Sequence, residues 1–358
     1  MACYKPFIGI PKLSRTWLQN GTTMALRADD NRLQIVPYVE GENFLEPFAI
    51  DAQSGEALFK YKIPCGNCVG CRLDYSRDWA ARCSLEQLAL QDKVGKKEVN
   101  ELSWFITLTY DDEHLPIEDM YGNATLNYKH LQDFWKRLRR YAEYHNLLVK
   151  SSYDDAAGES IGLRYYAAGE YGEKYSRPHY HAVVFGLCIP DLKPWSKNEL
   201  GDQLYISDLI AELWGHGFVT IGEFSWKTGA YVARYVMKKY KGKDTIWYDM
   251  KNVEYEKAMM SRRPGLAFDY FQNHAEDIYV HDKIQLVDGQ KITPPKYFDS
   301  LFAEVNPNRL SEVKQARSER AIDKENARLI QSNYSEIAYF KIQENKKNAE
   351  ILALHKTL

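Results

Sequence analysis

The stretch Arg177-Pro178-His179-Tyr180-His181-Ala182-Val183-Val184-Phe185-Gly186 constrains this chain more than any other. Its β-branched and aromatic side chains follow a proline, which a strand tolerates at its first position, so the segment reads as a strand. Side chains alternate between the two faces of a strand. His179 and His181 therefore point the same way and Tyr180 the other. Two neighbouring imidazoles can hold one metal ion. A bare His-x-His is a weak signal in a chain with 9 histidines, so the surrounding elements have to carry the reading.

Those elements come in a definite order. Trp104 to Tyr110 is a strand. Asn127 caps a helix in which Leu131, Phe134, Trp135, Leu138 and Tyr141 recur at helical spacing, with Lys136, Arg137, Arg139 and Arg140 largely off that stripe. Leu163 to Gly172 and Pro178 to Phe185 are strands joined by a short turn. Ser207 to Trp214 is a helix, Phe218 to Phe224 a strand, and Thr228 to Tyr240 a second amphipathic helix. The order β-α-β-β-α-β predicts an α+β fold, an antiparallel sheet of the split βαβ type, ferredoxin- or RRM-like. In it the first and third strands are central neighbours, both connecting helices pack on one face, and the opposite face is left free for a ligand. With the hairpin turn centred near residues 173 to 176, Glu170 falls opposite His179, within the roughly 5 Å reach of cross-strand neighbours. Glu173, in the turn, is the alternate carboxylate.

A second constellation precedes this core. Cys65-Gly-Asn-Cys68-Val-Gly-Cys71 is a knuckle whose glycines allow tight turns, letting three thiolates converge on one ion at about 2.3 Å. Cys83 is the nearest further thiol. Arg72 to Gln91 reads as a helix, however, and twelve residues of helix rise about 18 Å, so Cys3, on an N-terminus able to fold back, is the better fourth ligand. Position 75 is Tyr75, which disfavours an iron-sulfur cluster. A structural Zn²⁺ on Cys3, Cys65, Cys68 and Cys71 is the expectation, and Cys188 is expected in the core. Thiols in a cytosolic chain bind metal or stay reduced more often than they form disulfides. No apolar run approaches the roughly 18 residues of a membrane span and no signal peptide is evident, so the chain is expected in the cytosol, without a membrane partner. The net charge of -2 argues against a uniformly basic nucleic-acid binder and leaves room for a local basic face.

The helix after the fourth strand carries Tyr231-Val-Ala-Arg-Tyr235-Val-Met-Lys238-Lys239. Residues i and i+4 share a helical face, so the two phenols stand about 6 Å apart, with both lysines one turn beyond Tyr235. Such a pair is more often core than catalyst. Its meaning comes from the combination with metal-type histidines and a carboxylate on the adjoining hairpin.

Phe105-Ile-Thr-Leu-Thr-Tyr110, Pro178-His-Tyr-His181 and Tyr231-Val-Ala-Arg-Tyr235 resemble the three ordered motifs of the HUH endonucleases that initiate rolling-circle replication. More closely, Ile63-Pro-Cys-Gly-Asn-Cys-Val-Gly-Cys-Arg72, Leu108-Thr-Tyr-Asp-Asp-Glu-His-Leu-Pro116, Gly169-Glu-Tyr-Gly-Glu173 and Tyr231 to Lys239 resemble the replication initiators of gokushoviruses, in the Microviridae. The resemblance covers roughly residues 1 to 240. It implies an HUH-type sheet and Mg²⁺ or Mn²⁺ on His179, His181 and Glu170. It also implies a nucleophile in Tyr231 or Tyr235, with Lys238 or Lys239 orienting the phosphate. The expected substrate is single-stranded DNA at an origin hairpin, nicked through a 5′-phosphotyrosine and later religated, in the host bacterial cytoplasm and beside a host helicase or polymerase. Arg137, Arg140 and Arg234 are candidate DNA contacts, since basic clusters suit phosphate.

The expected organisation is a Cys-rich segment over 1–100, the endonuclease core over 101–245, and an extension over 246–358. In that extension Arg309 to Ile330 and Ser335 to Leu354 read as helices, while residues 241 to about 305 show no clear period. Two other readings remain: a non-haem iron oxygenase using two histidines and one carboxylate, and a non-catalytic single-stranded DNA-binding module.

Overall fold

A computed structural model describes residues 3–17, 24–42, 44, 46–51, 55, 57–95, 99–117, 122–149, 162–172, 174–198, 201–225, 228, 246–286, 289 and 291–355, with the side chains of 14–32 and 351–355 left aside. The chain divides into two compact units, Met1–Asp74 with Ser311–Leu358, and Tyr75–Leu310.

In the first unit β1 (Phe7–Trp17) pairs antiparallel with β2 (Met24–Pro37), the register shifting between Pro11 and Leu13. Strands β3 (Ala49–Ile50) and β4 (Ala57–Leu58) make a small hairpin, and β5 (Tyr61–Ile63) pairs with the other edge of β1. The helices Pro307–Ser332, from Ser311 onward, and Glu336–His355 complete the unit. Lys62 on β5 ties them to the sheet. Its ammonium donates to Glu325 at 2.8 Å and Glu336 at 2.9 Å, and lies 5.0 Å over the Tyr38 ring and 4.7 Å over that of Phe340. A partly desolvated cation between two carboxylates and two ring faces is favoured by both terms.

Helix α1 (Val69–Val94) enters the second unit at Tyr75. There follow β6 (Ser103–Thr109), α2 (Tyr128–Tyr144), β7 (Arg164–Tyr171), β8 (Pro178–Phe185), β9 (Lys193–Lys197), β10 (Gln203–Ile206), α3 (Asp208–Trp214), β11 (Val219–Glu223) and β12 (Ala258–Met260). Seven of these strands form one sheet in the order β12-β7-β8-β6-β11-β10-β9. All its neighbours are antiparallel, with β6 and β8 side by side near the middle. The Asn127 side chain accepts from the Lys129 and His130 amides, as a cap residue should, and Ser207 likewise accepts from Ile210. Helix α2 buries Leu131, Phe134, Trp135 and Leu138, and α3 buries Ile210 and Trp214, in one core with Ile106, Leu108, Tyr180, Ala182, Val184 and Ile221 of the sheet.

The opposite face is not left free. Trp79, Cys83 and Leu90 of α1, with Leu266, pack on Tyr166, Ala168, Val183 and Phe185, and the Trp79 ring stacks on Tyr166 at 4.5 Å. The reason lies in the strands themselves: the apolar side chains that alternate away from α2 and α3 also need cover. The two histidines occupy the end of that same face, and His179 is partly exposed there. Cys188 is exposed rather than core, because Leu187 and Ile189 on either side of it turn inward. The stretch without sequence period contains the helices Ile246–Lys251, Phe268–His281 and Lys296–Val305 and a hairpin of β13 (Ile284–Gln285) and β14 (Lys291–Ile292). Contacts distant in sequence hold it, such as Tyr279 stacked on Phe302 at 3.8 Å. The helix expected over 228–240 lies outside the described residues. Among the described residues no helix is long and apolar enough to cross a membrane.

Candidate metal centres

Strand register builds the first centre. Glu170 on β7 is the direct partner of His179 on β8, and Ala168 is the partner of His181, so all three side chains project from one face. Gly169 makes this possible on the other side: a Cβ there would stand 2.7 Å from the Tyr128 hydroxyl and 2.9 Å from Leu126 Cδ2. Only glycine lets β7 run this close to the segment leading into α2.

The three ligand atoms converge. Glu170 Oε2 lies 3.4 Å from His179 Nε2 and 3.4 Å from His181 Nε2. Donors about 2.1 Å from a shared ion stand roughly 3.0 to 3.5 Å from one another, depending on octahedral or tetrahedral angles, so the spacing fits. Side-chain exposure falls from 19% at His179 through 9% at His181 to 4% at Glu170, placing the carboxylate at the floor and His179 at the mouth. The outer nitrogens are engaged. His179 Nδ1 donates to the Arg177 carbonyl at 3.1 Å. A carbonyl can only accept, so the proton sits on Nδ1 and the Nε2 lone pair faces the centre. His181 Nδ1 meets the Thr107 hydroxyl at 3.0 Å, and Phe105 stacks on its ring at 5.5 Å. Thr107 and Phe105 were not among the site residues read from the sequence. Their alternation along β6, beside β8, is the signal that carries them.

The second centre is in the other unit. The sulfurs of Cys3, Cys65, Cys68 and Cys71 all lie within 4.8 Å of one another. Cys3 to Cys68 is 3.9 Å and Cys65 to Cys71 is 4.0 Å. The spacing is close to the edge of a tetrahedron of sulfurs about 2.3 Å from its centre. Backbone amides point at these sulfurs: Asn67 and Cys68 donate to Cys65, Cys65 donates to Cys3, and Tyr4 donates to Cys68. Such donors favour thiolates. Hydrogen bonding from Cys3 and from the amides brings the Cys68 thiol down to about 4. Cys83 is fully buried in the core of the second unit and takes no part.

Other expected site residues are placed differently. Arg137 donates to the Leu213 and Trp214 carbonyls at the end of α3, and Arg140 is exposed on α2, both on the helix-bearing side of the sheet. His114 is held by Asp111, and His216 stacks on His130 at 4.1 Å beside Tyr110, again on that side. Tyr231, Arg234, Tyr235, Lys238 and Lys239, and the alternate Glu173, lie outside the described residues.

Comparison with known proteins agrees with this arrangement of motifs. The family model for replication-associated proteins of the ORF2 type matches residues 103–240. The chain is 37% identical over 240 residues to the replication-associated protein ORF2 of Spiroplasma virus 4, covering 66% of each chain. It is 28% identical over 258 residues to the replication-associated protein VP4 of Bdellovibrio phage phiMH2K, covering 71% of this chain and 72% of that one. It is also 28% identical over 296 residues to the replication-associated protein ORF4 of Chlamydia phage 1, covering 80% and 65%. No solved structure matches the chain. From its motifs and these relatives, the chain belongs to the replication-associated proteins of the microvirus type.

Proposed function

We propose that this protein is an HUH-type replication initiator that nicks single-stranded origin DNA through a tyrosine. The observation that supports it most is the convergence of two imidazole nitrogens and one carboxylate oxygen on a point, with the outer nitrogen of His179 fixed by a carbonyl. That donor set suits a divalent cation. Mg²⁺ or Mn²⁺ held by Glu170, His179 and His181 would supply positive charge against a scissile phosphate. The strand order β7-β8-β6-β11 accords with a split βαβ sheet.

The chain's own residues then have separable tasks. Tyr231 or Tyr235 is the nucleophile. Its phenol gives up a proton, its oxygen forms the bond to phosphorus, and the bond from phosphorus to the 3′ oxygen breaks. The 3′ oxygen takes up a proton and is the primer end, while the 5′ phosphate stays on the tyrosine. The other tyrosine attacks the regenerated junction after one round and the freed 3′-OH closes the circle. Lys238 or Lys239 neutralises the phosphate as a point charge. The spacing of these four along the sequence supports their roles. The four converging cysteines suit a structural Zn²⁺.

Incubating the protein with labelled single-stranded viral origin DNA and Mn²⁺ should give a covalent protein–DNA adduct on a denaturing gel. The double variant Tyr231→Phe/Tyr235→Phe should bind DNA and form none. Nicking that persists in that variant would refute the nucleophile. Binding by the wild type without any adduct would leave the non-catalytic DNA-binding reading, and turnover dependent on iron and oxygen would favour the oxygenase.

A further inference from the structure

One edge of the large sheet carries two aromatic rings that no core uses. Trp195 on β9 is 57% exposed, Phe218 just before β11 is 49% exposed, and their centroids lie 5.8 Å apart with planes inclined by 60°. Exposed apolar rings in contact with each other are characteristic of a surface that meets a partner. Their position identifies which surface. Thr220 on β11 pairs with Thr107 on β6, so by alternation Phe218 projects from the same face as Thr107 and Thr109. The Phe218 carbonyl accepts from the Thr109 amide at 3.0 Å and from the Thr109 hydroxyl at 2.8 Å, and Thr109 is the cross-strand partner of His179. A continuous row thus runs across the sheet from Glu170 through His179 and Thr109 to Phe218 and, by ring contact, to Trp195. Phe218 is two strand spacings, about 10 Å, from the strand bearing the histidines.

We propose that Trp195 and Phe218 form a base-stacking subsite for single-stranded DNA, holding unpaired nucleobases beside the phosphate that reaches Glu170, His179 and His181. Its destination rests on the nickase reading above; its ligand class rests on the surface. Every base has a π-face, so paired aromatics bind single strands without needing a sequence. Lys193 and Lys197 flank Trp195 on β9, whose five residues are all exposed, and they offer positive charge to a passing backbone. The same strand is poorly suited to a protein partner that would add a strand to the sheet: Pro194 lacks the amide hydrogen, and edge lysines oppose such pairing.

The test compares labelled oligo(dT) with an abasic oligomer of equal length, by fluorescence anisotropy on the full chain. The two probes carry the same phosphates and differ in bases alone. Wild type should favour oligo(dT) on the order of 10- to 100-fold, and Trp195→Ala/Phe218→Ala should lose most of that preference while binding the abasic oligomer within about twofold of wild type. Trp195→Phe should restore much of the preference. A double variant with the wild-type preference, a wild type with none, or equal loss on both probes would overturn the subsite. Adduct formation by wild type on viral single-stranded DNA with Mn²⁺ is scored separately. Loss of base preference in the variant, together with no adduct in wild type, keeps the subsite and removes the nickase.

Discussion

Replacing Thr107 by valine isolates what the outer hydrogen bond contributes to the metal centre. The substitution keeps the β-branched shape that suits β6 and removes the hydroxyl 3.0 Å from His181 Nδ1. With that contact gone, the tautomer protonated on Nε2 competes, and it has no lone pair to offer an ion. Loss of such an outer-shell partner weakens metal binding by about 10- to 100-fold, equivalent to about 1.4 to 2.7 kcal/mol. Mn²⁺ titration followed by electron paramagnetic resonance reads this directly. Thr109→Val is the matched control: the same change two residues along the same strand, where the hydroxyl donates to the Phe218 carbonyl rather than meeting a ligand. The Thr107 variant should show the weaker Mn²⁺ affinity and the Thr109 variant should stay within about twofold of wild type. Equal affinities for wild type and Thr107→Val, with the fold intact by circular dichroism, would refute the reasoning.

Cys3→Ser removes one of four converging sulfurs, so zinc should be lost to a chelator at least about tenfold more readily than from wild type, together with a lower Tm; unchanged release would mean Cys3 is not a ligand. Asn127→Ala removes the side chain that caps α2 and should cost about 1 kcal/mol of stability in urea titration, with no loss marking the cap as redundant. Burial, with His130, Arg137 and His114 nearby and Asp111 opposing, holds the His216 imidazole down at about 4 against an ordinary value of 6.5. Between those values the unfolded chain binds a proton that the folded one does not, so stability is present above about 6.5 and is lost as pH falls toward 4. The fall in Tm from neutral to mildly acid pH should therefore be shallower in His216→Asn, and parallel curves for the two proteins would contradict the assignment.

Local chemistry in the sequence determined much of this protein. Alternation along Pro178–Phe185 put His179 and His181 on one face, hairpin geometry set Glu170 against His179, and helical spacing with Asn127 and Ser207 as caps marked α2 and α3. Each of these rests on contacts between residues near in sequence or joined by a short turn, where backbone geometry leaves few choices. The long C-terminal helices were legible for the same reason, within about three residues at each end. Tertiary structure alone decided the rest. Whether the second sheet face stays bare depends on where α1 goes, and Trp79, Cys83 and Leu90 cover part of it through contacts some eighty or more residues away in sequence. Residues 193–206 become a hairpin that widens the sheet and presents Trp195 beside Phe218, although their own pattern, Lys-Pro-Trp-Ser-Lys, has no strand-like alternation of burial. Both ends of the chain share one unit because Lys62 finds carboxylates at 325 and 336. Pairings of that separation are fixed by which surfaces need covering once the local elements exist, and a linear pattern does not contain that information.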